Sequence, residues 1–370
     1  MVRIFSIRSS NSPDYLFISI VAILMIFGFV MLMSASSDLA KTKYGDSFFY
    51  LKHQLLYGFA LGFLGFFFGL FFYYKRWEKI AGIILILNIL LLLLVFTPLG
   101  LNTKGSARWL NIAGFSFQPG EILKLTFLIY IAVWCNKKQA RSKSLTQGFL
   151  PFLFLLACVG VLLMLQPSTT IAILIFMAAI ITYFSAGAKL RFLIGAIMII
   201  MLAVAAVILI TPYRLQRVLS YFNPEIDKLD TSYQINQSLN AIGSGGIVGV
   251  GFGQSTTKLK YLPEPLADSI FAIIGEELGF IGSIALVVLF LMLIWRGFLI
   301  AKNSPDNFGR LLVTAFTSLI GLQAFINIAS VSGLIPLTGV PLPFISYGGT
   351  ALAVFLTMSG IIVNVSRHRK

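Results

Sequence analysis

Asp268 closes a long polar stretch and stands directly before the apolar run that starts at Ser269-Ile270-Phe271. A carboxylate at such a boundary takes a proton from an attacking hydroxyl as a general base, or it caps the amides of a starting helix. The residue alone leaves both readings open. Glu121 and Lys124 lie three apart inside another apolar run, a spacing that pairs them on one helix face. Ionisable groups within a membrane are costly and by default mark function, the alternative being a pair that lets two charges enter lipid together. Arg108 follows Gly105-Ser106-Ala107 and precedes Trp109. It can aim a cation at developing negative charge, or act with the Trp as an interfacial anchor. Arg214, Arg217, Lys258 and Lys260 make one loop locally basic, which suits an anionic ligand or, equally, anionic lipid headgroups. Glu276 and Glu277 follow Asp268 by eight and nine residues. On an uninterrupted helix that is roughly 12–14 Å further along the axis, too far to share a proton with it, so pairing with a buried cation is expected.

Other chemistries find little support. The glycines from Gly243 to Gly253 lack the Gly-Lys-Ser/Thr ending of a P-loop and predict a close-packed or re-entrant loop. Cys135 and Cys158 both sit in apolar stretches, and His53 and His368 are far apart; they suggest no disulfide framework, zinc site or nucleophilic triad. Pro336, Pro341 and Pro343 predict a broken, non-helical stretch whose backbone groups neighbouring protein must satisfy.

The elements that carry these residues are membrane spans. Of the 370 residues 58% are hydrophobic and only 11% charged, with a mean hydropathy of +0.92. Soluble domains carry about 25% charged residues, and apolar runs of roughly 18 residues or more read as membrane-spanning helices. Ten spans are expected, at about 15–35, 54–74, 79–98, 119–135, 148–165, 168–187, 190–210, 269–295, 310–333 and 344–365. The fold class is all-α, a polytopic integral membrane protein forming one transmembrane domain over 1–370, with a long exterior loop at about 211–268. Basic residues crowd alternate turns, as at Lys75-Arg76 and Lys189-Leu190-Arg191. By the positive-inside rule this places both termini in the cytoplasm and assigns the net charge of +15 to topology rather than to nucleic acid. Three polar segments, 98–120, 211–268 and 333–349, then converge on the exterior face.

Four motifs in order resemble the SEDS family of peptidoglycan glycosyltransferases, the FtsW/RodA type. They are Gly105-Ser-Ala-Arg-Trp109 with Gln118-Pro-Gly-Glu-Ile-Leu-Lys124; Ala241-Ile-Gly-Ser-Gly-Gly246; Tyr261-Leu-Pro-Glu-Pro through Asp268 to Gly279; and Pro336-Leu-Thr-Gly-Val-Pro-Leu-Pro through Gly349. The Tyr261-Leu-Pro-Glu-Pro265 run leans to the division type, and Thr338, where many division-type members carry Lys, leans the other way. The chain departs from the family in having Leu266-Ala267-Asp268-Ser269 for the usual His-Thr-Asp-Phe, and Ser168 for the usual Asp after Gln166-Pro167.

The resemblance implies polymerisation of lipid II, the undecaprenyl-pyrophosphate-linked disaccharide-peptide, beside a class B penicillin-binding protein in the bacterial cytoplasmic membrane, with the division septum as one setting. It makes Asp268 the base, and Arg108, Glu121, Lys124, Arg214, Lys258 and Lys260 candidates for substrate binding around the pyrophosphate. No cofactor is evident; a divalent cation is compatible with pyrophosphate departure, although no dedicated metal cage is visible. Two other functions compete: a lipid II flippase and a non-catalytic division scaffold.

Overall fold

The computed structural model describes residues 12–103, 106–112, 114–137, 142–222, 231–259 and 266–369. Each expected span is helical. They are α1 (Tyr15–Tyr44), the rod formed by α2 (Phe49–His53), a π-helical turn (Gln54–Phe59) and α3 (Ala60–Phe71), then α4 (Lys75–Leu94), α5 (Pro119–Lys137), α6 (Leu150–Leu165), α7 (Thr169–Ser185) and α8 (Leu190–Ile210). Two shorter helices, α9 (Pro212–Phe222) and α10 (Thr231–Ser244), precede α11 (Ile270–Lys302), α12 (Asn307–Val331) and α13 (Gly349–Ser366).

Among the described residues eight helical segments are long and apolar enough to cross a membrane. Helices α5 and α7 complete the bundle from its middle: α7 has only 17 residues, and α5 carries Glu121 and Lys124. Both pack against α12, which also packs against α11, while α13 packs against α3 and α5. Burial follows this plan. In the most apolar window 78% of α12 and of α13 is buried, against 11% of α8, so α12 and α13 form the centre and α8 turns its surface to lipid.

Several boundaries differ from the hydropathy reading. Helix α1 runs on to Tyr44, past the apolar run, until Gly45 at φ 71° closes it with its N–H on Lys41 O; a helix stops at a cap rather than where lipid ends. Helix α11 extends to Lys302 and is broken inside at Gly279. The segment 98–120 is no simple loop. β1 (Gly100–Thr103), β2 (Ser106–Ile112) and β3 (Phe115–Phe117) form a three-stranded antiparallel sheet, with Gly100 opposite Leu110 and Leu110 opposite Phe117. The expected all-α class therefore holds for the bundle and gains a small β cap.

The re-entrant segment after α10 explains the glycines. At Gly279 (φ 65°, ψ −162°) the helix leaves α geometry, so its neighbouring amides and carbonyls lose their helical partners. The chain around Gly246–Gly251 supplies new ones. Phe280 N and Ile281 N donate to Gly246 O (2.9 Å) and Ile247 O (3.1 Å), while Val250 N and Gly251 N donate to Glu276 O (3.0 Å) and Glu277 O (3.1 Å). A Cβ on Gly249 or Gly279 would overlap the opposing backbone. This is irregular backbone at a helix level, tolerated because protein satisfies it.

Candidate active site

The α4–α5, α6–α7, α12–α13 and α10–α11 connections meet at one end of the bundle. Asp268 lies in the turn before α11, one residue before the N-cap Ser269. That turn is held by side chains from the most buried helices. Asn327 of α12, 1% exposed, donates through one amide nitrogen to Asp268 O (2.9 Å) and to Val340 O (2.7 Å). Ser346 donates its hydroxyl to Ala267 O, and Tyr347 N donates to Leu266 O at 2.9 Å. Gly339, at φ 65°, faces the carboxylate: a Cβ there would stand 3.3 Å from Asp268 Oδ2.

The proline-rich segment opposite is pinned from several directions. Gln323 Nε2 donates to Pro341 O (2.8 Å), Thr170 Oγ1 to Thr338 O (2.8 Å), and Gly348 N to Gln54 Oε1 (3.0 Å). Two carbonyls and one amide N–H that no regular element uses are thereby paired, as buried backbone requires.

Beneath it, Lys124 is fully buried and Glu121 4% exposed. Lys124 Nζ bonds Glu121 Oε1 (2.6 Å) and Gln323 Oε1 (2.8 Å) and lies 5.7 Å from the Phe355 ring centroid. Since Gln323 also holds Pro341, and Asn327 sits one turn further along α12, one polar ladder runs from Glu121 to the Asp268 turn. The two groups are brought together through α12 rather than by direct contact.

The other candidates take different places. Arg108, on β2, donates from Nε to Gln166 O (3.2 Å) and from Nη2 to Pro167 O (2.7 Å), joining the β cap to the α6–α7 turn. Arg214, on α9, bonds Thr211 Oγ1 at 3.2 Å, and burial lowers its pKa from the ordinary value. Lys258 corrects its reading as a charge on a basic loop. It is 7% exposed, with its ammonium on Glu277 Oε1 (2.8 Å), Gly253 O (2.8 Å) and Ser34 Oγ (3.1 Å). An ammonium has three protons, so Lys258 is a strut of the re-entrant segment. Lys260 lies outside the described residues, as do Lys104, Gly105 and Tyr261–Pro265. The cation expected beside the two glutamates is Lys258 on Glu277, whereas Glu276 accepts from Ser255 Oγ and Thr256 N. Among the described residues no three His, Cys, Asp or Glu side chains gather to hold a metal.

Residues 14–370 match the family model for FtsW/RodA/SpoVE cell cycle proteins. The chain belongs to the FtsW/RodA/SpoVE family. It is 39% identical to stage V sporulation protein E of Bacillus subtilis, covering 97% of this chain and 98% of that one. It is 40% identical to the probable peptidoglycan glycosyltransferase FtsW of Geobacter sulfurreducens, over 99% and 98%. Its fold is similar to a chain of a peptidoglycan synthase complex solved for its coordination of polymerization and crosslinking (TM-score 0.81, 26% identity, 96% and 98% covered). It is also similar to RodA of Thermus thermophilus (TM-score 0.70, 26% identity, 97% and 98% covered).

Within this FtsW/RodA/SpoVE chain, sequence reasoning passed over Gln54, Gln323, Asn327 and Ser346. A signal existed for two of them: Gln323 and Asn327 stand four apart as the two amide side chains of the span at 310–333, and intramembrane polar groups are rarely idle.

Proposed function

We propose that the chain is a peptidoglycan glycosyltransferase that polymerises lipid II at the outer face of the bacterial cytoplasmic membrane, with Asp268 as general base. The observation that carries this reading is the Asp268 turn itself. Buried side chains of α12 and the proline-rich segment fix its backbone, at the end of the bundle where the sheet and α9 also gather. Membership of a family with relatives named as probable peptidoglycan glycosyltransferases supports the same conclusion.

The chemistry balances with one carboxylate. Asp268 accepts the proton of the acceptor sugar hydroxyl as its oxygen bonds to the donor's anomeric carbon. The bond from that carbon to the diphosphate breaks, and its electron pair leaves on the lipid diphosphate. This leaving group needs cationic stabilisation more than a proton, so a second carboxylate acid of the glycosidase kind is unnecessary. Arg108 and Arg214 are the described cations proposed for that role. The diphosphate also offers oxygen ligands to a divalent cation, and a titration with chelator and Mg²⁺ reads whether one is required.

A class B penicillin-binding protein is the proposed partner, packed on α11, where Phe280, Ile284, Leu291 and Trp295 are exposed. Gly282 and Ser283 on the same helix serve its break: Ser283 Oγ donates to Gly279 O at 2.9 Å, and a Cβ on Gly282 would press on Leu278.

Asp268→Asn tests the base. Asparagine is nearly isosteric, and the N-cap position of α11 belongs to Ser269, so the protein stays folded and membrane-inserted while polymerisation falls by ~10²–10⁴-fold. Near-normal strand yield from Asp268→Asn sinks the assignment. The broken helix α11 with its buried Glu276 and Glu277 gives the flippase a specific footing, since transporters use such helices. That reading wins if purified protein moves lipid II across vesicles yet makes no polymer with its partner.

A further inference from the structure

Beside the Asp268 turn lies a row of aromatic rings that the polymerisation chemistry does not use. It begins at the end of α1, where Tyr44 stacks on Phe49 with centroids 3.8 Å apart and planes 12° from parallel. Phe49 faces His53 (6.3 Å), His53 faces Tyr57 (4.5 Å), and Tyr57 reaches Phe115 of the β cap (5.6 Å). The His53–Tyr57 step lies on the π-helical turn Gln54–Phe59, a distortion frequent at functional sites. The row stays open: Tyr44 is 46% and Tyr57 37% exposed, and His53 is exposed.

Tyr347 ties the row to the site. Its hydroxyl is 2.9 Å from His53 Nδ1, and its backbone N–H donates to Leu266 O, two residues before Asp268. We propose that the row Tyr44–Phe49–His53–Tyr57–Phe115 is a pyranose-binding subsite that holds the glycan strand next to Asp268. This rests on the glycosyltransferase reading.

The chemistry favours a sugar over a lipid tail. One face of a pyranose is lined with C–H groups, which the negative face of an aromatic ring attracts. Its rim carries hydroxyls and amides. The row offers both partners: the exposed His53 and Tyr57 rings, tilted 42° to one another, and, at the edges, His53, the Tyr57 hydroxyl and the exposed Lys52–Asp46 pair (2.7 Å). An interfacial belt needs only single rings with their tips in the headgroups. It requires neither a chain of ring-to-ring contacts from α1 to the β cap nor a hydrogen bond from such a ring into the Asp268 segment.

The test uses full-length protein in nanodiscs and a soluble β-1,4-linked N-acetylglucosamine tetramer, read by saturation-transfer NMR. Wild type and Tyr57→Phe should bind. Tyr57→Ala and Tyr44→Ala should each bind about two- to tenfold more weakly, the worth of one ring face. In lipid II polymerisation the two Ala variants should release shorter strands. No saturation transfer to the wild type overturns the proposal. So does a Tyr57→Ala protein that binds the tetramer like wild type and loses only thermal stability, which marks the row as an interfacial belt. If the wild type makes no polymer, the glycosyltransferase reading fails by itself, and tetramer binding still decides the subsite.

Discussion

At the residue scale the Glu121–Lys124 pair poses the sharpest question. A fully buried ammonium is stable only when its charge and its donors are answered, and here Glu121 and Gln323 take two of the three donors with the Phe355 ring 5.7 Å away. Removing one partner of such a pair costs ~3–5 kcal/mol, whereas replacing both with apolar groups of similar size is often neutral. Lys124→Leu is therefore expected to lower the thermal midpoint sharply in detergent, and Glu121→Leu/Lys124→Leu to recover most of it. Polymerisation should stay absent in the double variant, because the ladder through Gln323 to the Asp268 segment is gone. Polymer yield that returns with the midpoint would reduce the pair to two charges sharing a berth. The i, i+3 spacing announced this pair in the sequence. Its third member is 199 residues away, and no local pattern ties an α5 lysine to an α12 glutamine.

At the element scale the break in α11 decides the geometry of the chain leading to Asp268. Gly279 has a backbone conformation that is essentially glycine-only, costing other residues ~1–3 kcal/mol, and a Cβ would also meet Gly249 N and Ile247 O. Gly279→Ala should lower the thermal midpoint and speed amide exchange at Phe280 and Ile281; unchanged exchange there would count against the strand-like pairing with Gly246 and Ile247. At the opposite end of the bundle Asp306 caps α12, accepting from Gly309 N (2.8 Å), Tyr74 Oη (2.5 Å) and Lys75 Nζ (3.0 Å). Burial alone would raise its pKa. The bonds from Gly309, Tyr74 and Lys75 outweigh that and hold the carboxyl below its ordinary value. A depressed folded-state pKa contributes stability above the unfolded value, about 3.9, which is lost as pH falls through the folded value. The thermal midpoint of the wild type should thus fall on acidification below about pH 4, more steeply than that of Asp306→Asn. Parallel curves for the two proteins would show that Asp306 is not the group responsible.

At the scale of the whole molecule the orientation is open to direct measurement. With Cys158 replaced, cysteines placed at Asp46 and Gln254 should react with an impermeant thiol reagent from outside, and one at Asn303 only after the membrane is opened. Labelling of Asn303 but not Gln254 in intact cells would reverse the topology and move Asp268 away from the outer face.

The sequence carried the bundle of membrane-spanning helices and the gathering of polar segments at one end, because lipid demands a length and a polarity that each span must meet alone. It also marked Asp268 and the Glu121–Lys124 pair, since charges beside or inside apolar runs are conspicuous. Which polar groups meet follows from how the helices pack. Lys258 belongs to Glu277, Asn327 to the backbones of Asp268 and Val340, and Gly249 to the break at Gly279. These partners are distant in sequence, and each pairing is forced by the need to satisfy a particular buried group. That need exists only once the helices have packed.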